Sequence, residues 1–172
     1  MDVMRFFSAH IDNLRKLYVD QVEHLLSAEE QIMEALPKMV EAASDSELKS
    51  ILQTHMKETR EHVSRLEQIV QQSVGKLEPK RSKPMAALID EANQLVGDAK
   101  NDPVRDVAII TACERIEQYE IAVYSAVSNF AKIIGETEQA GLLEKTLEQE
   151  KNANEALRGL AEWANTRADR AA

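Results

Sequence analysis

The chain has 172 residues, a formal net charge of -9, 44% hydrophobic but only 4% aromatic residues, and five glycines. That length suits a single domain over 1–172 that buries its own core, and the negative field repels phosphate backbones and acidic lipid, excluding nucleic acid and membrane surfaces as expected partners. The opening residues lack an apolar segment with a cleavage site, and no stretch approaches the ~18 apolar residues of a membrane span, so a cytoplasmic protein is expected.

Apolar residues recur at helical spacing from about 8 to 43, at Leu14, Tyr18, Val22, Leu25, Ile32, Leu36 and Met39. Pro37 lies inside this first helix and removes a backbone donor, which predicts a kink or loosening near Gln31 to Met33. Ser44-Asp-Ser-Glu47 reads as a turn in which Ser44 or Ser46 caps a second helix over about 46–74. The stretch from Gly75 to Pro84 carries two prolines and a glycine and reads as the one substantial linker. Pro84 then opens a short helix over about 84–100, with Met85, Leu88, Ile89, Ala92 and Leu95 on one side. Asn101-Asp-Pro103 ends it and caps a helix over about 104–134, which stops at Gly135, and a last helix covers about 137–167. Short connections make two antiparallel hairpins, and the long middle segment crosses between them: an all-α four-helix bundle whose crossover carries an additional short helix.

The informative positions are polar residues on the inward seams. The first helix places Glu29 between Leu25 and Ile32; the second places His55, Glu58 and His62 between Ile51 and Leu66, with Glu61 beside them. The long fourth element carries Glu117 and Glu120 between Cys113 and Tyr124, and the last carries Glu150 and Asn154 between Leu147 and Leu157. Five buried carboxylates without counter-charge would cost several kcal/mol each, more than marginal stability tolerates. Lys and Arg are sparse on these seams, so the positive charge comes from protonated His55 and His62 or from bound cations; two divalent ions would supply about four charges. Cys113 is the only cysteine, which excludes a multi-thiolate site, and carboxylate plus imidazole suits iron or manganese and, less specifically, zinc.

An acid from each of four helices is also how ferritin-like dimetal proteins build their sites. Ser-Ala-Glu29-Glu-Gln, Ala-Leu-Pro37-Lys, His55-Met-Lys-Glu58-Thr, Val-Arg-Asp106, Ile-Glu117-Gln-Tyr-Glu120-Ile-Ala and Thr-Leu-Glu-Gln-Glu150-Lys, spread over residues 14–160, resemble the YciE and YciF stress-protein family. The resemblance implies a ferritin-like fold, a homodimer and a role in bacterial stress. It implies metal ligation by Glu29, His55, Glu58, Glu117, Glu120 and Glu150; the inward seams themselves offer His62, Tyr124, Asn154 and Glu61 as supporting groups or extra ligands. The sequence departs from the superfamily's usual Glu-x-x-His on two helices: one helix shows His55-x-x-Glu58 and the last has Ala153 where a histidine would fall.

Two functions follow as expectations. One is a diiron oxidoreductase, ferroxidase- or peroxidase-like, in which Glu58 and Glu120 bridge two ions, Glu29, Glu117 and Glu150 complete the shells, and O2, peroxide or Fe(II) is the small substrate. The other is a non-enzymatic dimeric stress or scaffold protein with a degenerate site. Tyr18 and Tyr124 are read as core aromatics whose hydroxyls hold a carboxylate, Cys113 as a small core residue, and His10 and His24 as ordinary. Phe6 and Phe7 are read as a cover for one end of the bundle or a dimer contact.

Overall fold

A computed structural model describes residues 11–73 and 80–171. They form five helices, α1 (Leu14–Ala42), α2 (Ser46–Ser73), α3 (Lys83–Asp98), α4 (Asp102–Ile133) and α5 (Thr137–Asp169), and no strand occurs among the described residues. The expected linker falls largely on residues 74–79, outside the described set, as do His10 and the Phe6–Phe7 pair.

Local chemistry sets each boundary. The first helix begins at Leu14 rather than near residue 8, because the Asn13 side chain accepts from Lys16 N at 2.9 Å and caps it there. It continues unbroken through Pro37 to Ala42. Asp45, not Ser44 or Ser46, caps α2: its Oδ1 accepts from Glu47 N at 2.9 Å and Leu48 N at 3.0 Å. Ser44 is drawn away instead, donating from its backbone N (2.6 Å) and Oγ (2.5 Å) to the buried carboxylate of Asp106 on α4. Ser82 and Asn101 cap α3 and α4 in the same way as Asn13, each just ahead of a proline in the first helical turn. Gly135 ends α4 with φ +84°, and Glu136 N closes the turn on Ala131 O at 2.9 Å.

The α1–α2 turn, the start of α4 and the end of α5 meet at one end of the molecule, where Arg167 on α5 reaches Asp106 at 3.4 Å and Asp45 at 3.8 Å. At the other end Arg15 on α1 pairs with Glu136 at 2.5 Å, and Tyr18 donates to Gln139 Oε1 at 2.6 Å. Helix α1 packs on α2 and α4, and α5 packs on α4 and α2, so every neighbouring pair is antiparallel and the fold is the expected four-helix bundle. Helix α3 lies outside it, against α1 and α4, and brings the chain from the end of α2 back to the start of α4. Its entry is anchored on α1, where Ser82 N donates to Ser27 Oγ at 3.1 Å.

The core is divided. One apolar cluster, built on Ile32, Leu36, Leu48, Leu52, Ile109 and Leu157, occupies the end near Asp106. A second, built on Tyr18, Val22, Leu66, Ile69, Val127 and Leu143, occupies the end near Arg15. Between them lies a layer of buried polar groups: Glu29, His55, His62, Glu117, Glu120 and Glu150.

Candidate metal centre

Each inward acid is placed by the period of its helix. Residues seven apart on an α-helix return to within roughly 20° of the same line, whereas three apart leaves roughly 60°. On α2 this aligns His55 with His62, 5% and 0% exposed, and turns Glu58 toward the edge of the bundle, where it is half-buried and accepts from Gln149 Nε2 at 3.4 Å. On α4, Glu117, Glu120 and Tyr124 are all buried, as are Glu29 on α1 and Glu150 on α5.

The side chains converge into two groups, and within each the potential ligand atoms all lie within 4.8 Å of one another. The first comprises His55, Glu117, Glu120 and Glu150; the second comprises Glu29, His62 and Glu150. Glu150 belongs to both. His55 Nε2 stands 3.3 Å from Glu117 Oε1 and His55 Nδ1 stands 3.9 Å from Glu150 Oε2. His62 Nδ1 stands 2.9 Å from Glu150 Oε1 and 3.3 Å from Glu29 Oε1. Tyr124 Oη donates to Glu29 Oε1.

These approaches leave most of the polar atoms without a hydrogen-bond partner: both oxygens of Glu120 and of Glu150, one each of Glu29 and Glu117, His55 Nδ1, and both nitrogens of His62. Buried polar atoms are paired in stable proteins, and each orphan costs about 1–3 kcal/mol. Their number in one layer, and the predominance of carboxylate oxygens among them, fits cations held by oxygen and imidazole. The carboxylate shared between the two groups is that of Glu150; Glu58, expected to bridge with Glu120, stands outside both groups.

The protonation of the layer follows from the same crowding. Burial pushes the carboxyls of Glu117 and Glu120 well above the usual carboxylate range, and neighbouring acids add to it: Glu150 at Glu117, Glu29 and Glu150 at Glu120. Burial also raises Glu29, only partly offset by His62 and Tyr124. At Glu150 burial acts upward too, but His62 and His55 outweigh it and hold this carboxyl below its ordinary value. Burial would lower His62, yet Glu150 and Glu29 together raise it to about 10. Tyr124 is raised well above 10 by burial and stays a donor, and burial lifts the Cys113 thiol to about 12, leaving it a neutral core group.

The remaining candidates fall elsewhere. Glu61 is exposed and pairs with Arg65 at 2.6 Å. Asn154 is buried with an unpaired Oδ1, one turn past Glu150. Tyr18 holds an amide, Gln139, rather than a carboxylate, because Gln139 is the residue that α5 presents at its level. His24 bonds Asp20 O within its own helix at 2.8 Å. Sequence periodicity overlooked three buried charges off the main seam: Glu23, paired with Lys80 at 2.7 Å, Asp106, which holds Ser44, and Arg65, which spans to Thr146 and Gln149 at 3.0 and 2.6 Å. A basic residue four positions after an acid, as in Glu61–Arg65, was the available signal for Arg65.

Comparison with known proteins places this geometry in context. The family model described as "Domain of unknown function (DUF892)" matches residues 13–170. Protein YciF of Escherichia coli K12 is 34% identical over 154 residues, 88% of this chain and 92% of that protein. The crystal structure of the E. coli stress protein YciF matches with a TM-score of 0.86 at 30% identity, covering 91% of this chain and 99% of that one. YcfI, described as a putative structural protein from Rhodopseudomonas palustris, matches with a TM-score of 0.84 at 32% identity, over 89% of this chain and 98% of that one. A Xanthomonas campestris protein at 20% identity, TM-score 0.72, shares the fold.

Proposed function

We propose, from the premise that this chain belongs to the YciF-like DUF892 family, that it is a stress-associated ferritin-like protein holding two metal ions in its central layer. The observation that supports this reading is the pair of ligand groups joined at Glu150, with their oxygens and nitrogens left unpaired between two apolar clusters. His55, Glu117, Glu120 and Glu150 would hold one ion, and Glu29, His62 and Glu150 the other. Bound iron would supply electron exchange with O2, peroxide or added Fe(II); manganese or zinc would fit the same donors. The residues themselves do three things. Glu150 keeps its charge at neutral pH, Tyr124 fixes one oxygen of Glu29 so that the other points free, and the flanking apolar clusters close the layer toward both ends of the bundle. The same reading includes a homodimer, checked by sedimentation.

Metal-free protein titrated anaerobically with Fe(II) or Mn(II) is expected to take up close to two ions per chain. Uptake well below one would overturn the reading.

A second reading, a dimeric scaffold with no metal, is favoured by one feature: protonated His62 already lies between Glu29 and Glu150 and offsets part of their charge. The described role of the R. palustris relative as a putative structural protein is in keeping with it. It requires equal thermal stability with and without chelator, and a clear loss on chelation rules it out.

A further inference from the structure

His55 is approached from two chemically opposite sides. Between α2 and α5 a groove of about 280 Å³ reaches it, walled by Ile51, Ala153 and Ala156 but also by Ser50, Thr54, Glu58 and Asn152, whose oxygens give a hydrated cation partners on the way in. On the far side lies a cavity of about 30 Å³, enclosed by α1, α3 and α4. Its walls are Ile32, Met39, Ile89, Ala92, Ala112 and Ile116, and its polar lining comes from His55 and Glu117. Those two residues bear the unpaired His55 Nδ1 and Glu117 Oε2.

The volume exceeds the ~10–15 Å³ needed by one water, but a water there would find few of the two to four polar partners that hold one in place. Small residues make the room: Ala35 on α1, Ala92 on α3 and Ala112 on α4. The cavity shares Ala35 and Ile89 with an outer pocket of about 110 Å³ between α1 and α3, whose rim carries Glu34, Lys38, Arg81 and Asp90. Ile89 thus stands where a charged vestibule meets an apolar chamber. Ions and peroxide would shed hydrogen bonds to pass it, whereas an apolar diatomic would lose none.

We propose that this cavity is a dioxygen pocket beside His55 and Glu117, entered past Ile89 under α3. The purpose of the pocket rests on the dimetal reading; its existence does not. The oxidant is then O2 rather than peroxide, and cations use the α2–α5 side, where Ser50, Thr54, Glu58 and Asn152 offer oxygens.

The test uses metal-free, methyl-labelled protein under dioxygen pressure. Ile32 and Ile69 are both buried, 3% and 0% exposed, but belong to different apolar clusters. Paramagnetic relaxation of the Ile32 methyl is expected to exceed that of Ile69 at least threefold, and Ala92→Leu, which fills the chamber, should abolish the excess. Equal relaxation of the two methyls in the unsubstituted protein overturns the pocket, whatever the metal content and whether or not the variant folds. In iron-loaded protein, Ile89→Trp should slow O2-driven oxidation of bound Fe(II) at least fivefold more than peroxide-driven oxidation; equal slowing overturns the route. Failure to bind iron, with the methyl contrast intact, sinks the dimetal reading and leaves the gas pocket standing.

Discussion

Removing metal should make stability fall as pH rises, and restoring metal should cancel or reverse that fall. In the metal-free layer the folded-state pKa values of Glu29, Glu117 and Glu120 are raised by burial, and that of His62 rises from 6.5 to about 10 through Glu150 and Glu29 against the opposing effect of burial. A raised folded value means the native state binds protons that the unfolded chain has released. The stabilisation is complete below the unfolded value and is lost as pH climbs through the folded one. For His62 alone that window runs from 6.5 to about 10. One proton corresponds to about 1.4 kcal/mol per pH unit, so two units inside the window remove roughly 2.7 kcal/mol, and the whole rise is on the order of 5 kcal/mol. At about 2–4 °C per kcal/mol for a chain of this size, Tm should drop roughly 5–11 °C between pH 7 and 9. Glu150, with its lowered value, contributes in the opposite sense, but only at acid pH, below the range measured. Metal must displace these protons to bind, so its stabilisation grows with pH, reaching about 2.7 kcal/mol at a hundredfold excess over Kd. Scanning calorimetry of chelated and Mn(II)-saturated protein across pH 6.5–9 reads both slopes. A flat Tm for the chelated protein, or a slope that metal leaves untouched, would refute the reasoning.

Other substitutions separate the roles within the layer. Glu150→Gln removes the carboxylate common to both groups and should abolish binding of both ions, whereas Glu29→Gln should spare the His55 group; elemental analysis showing two ions retained in Glu150→Gln would sink the bridging assignment. Glu58→Gln should keep two ions per chain with affinity changed less than about tenfold, estimated from the 10–100-fold effect of supporting groups; loss of an ion would return Glu58 to the coordination that its His-x-x-Glu spacing implied. Tyr124→Phe strips the hydroxyl from Glu29 and should lower unfolding free energy by about 1–3 kcal/mol in urea, and an unchanged midpoint would mean the Tyr124–Glu29 bond contributes nothing.

Much of the central layer was legible because burial at helical spacing is a local property. Glu29, Glu117, Glu120 and Glu150 each interrupt an aliphatic seam, and all are buried. The angular offset along α2 was harder to read. A seam drawn in steps of three and four residues passes through His55, Glu58 and His62 alike, yet the helix turns Glu58 aside and keeps the two histidines in line. Capping at Asp45 in place of the neighbouring serines depended on a distant residue, since Asp106 competes for Ser44. The cavity beside His55 was beyond sequence reading altogether: α3 must first be folded onto α1 and α4 before Ala35, Ala92 and Ala112 leave a common void.

The polar layer between the two apolar clusters also acts on assembly. Aliphatic seams made of Leu, Ile and Val are nearly interchangeable from turn to turn, so a helix bundle built only from them tolerates sliding. Moving α4 by one turn, about 5.4 Å, would carry Glu117 to the level of Cys113 or Glu120 to that of Tyr124, driving a carboxylate into aliphatic surroundings and stranding the histidines of α2. The buried acids therefore work as an alignment key: they weaken the isolated bundle, yet penalise each misregistered packing more heavily than the aligned one.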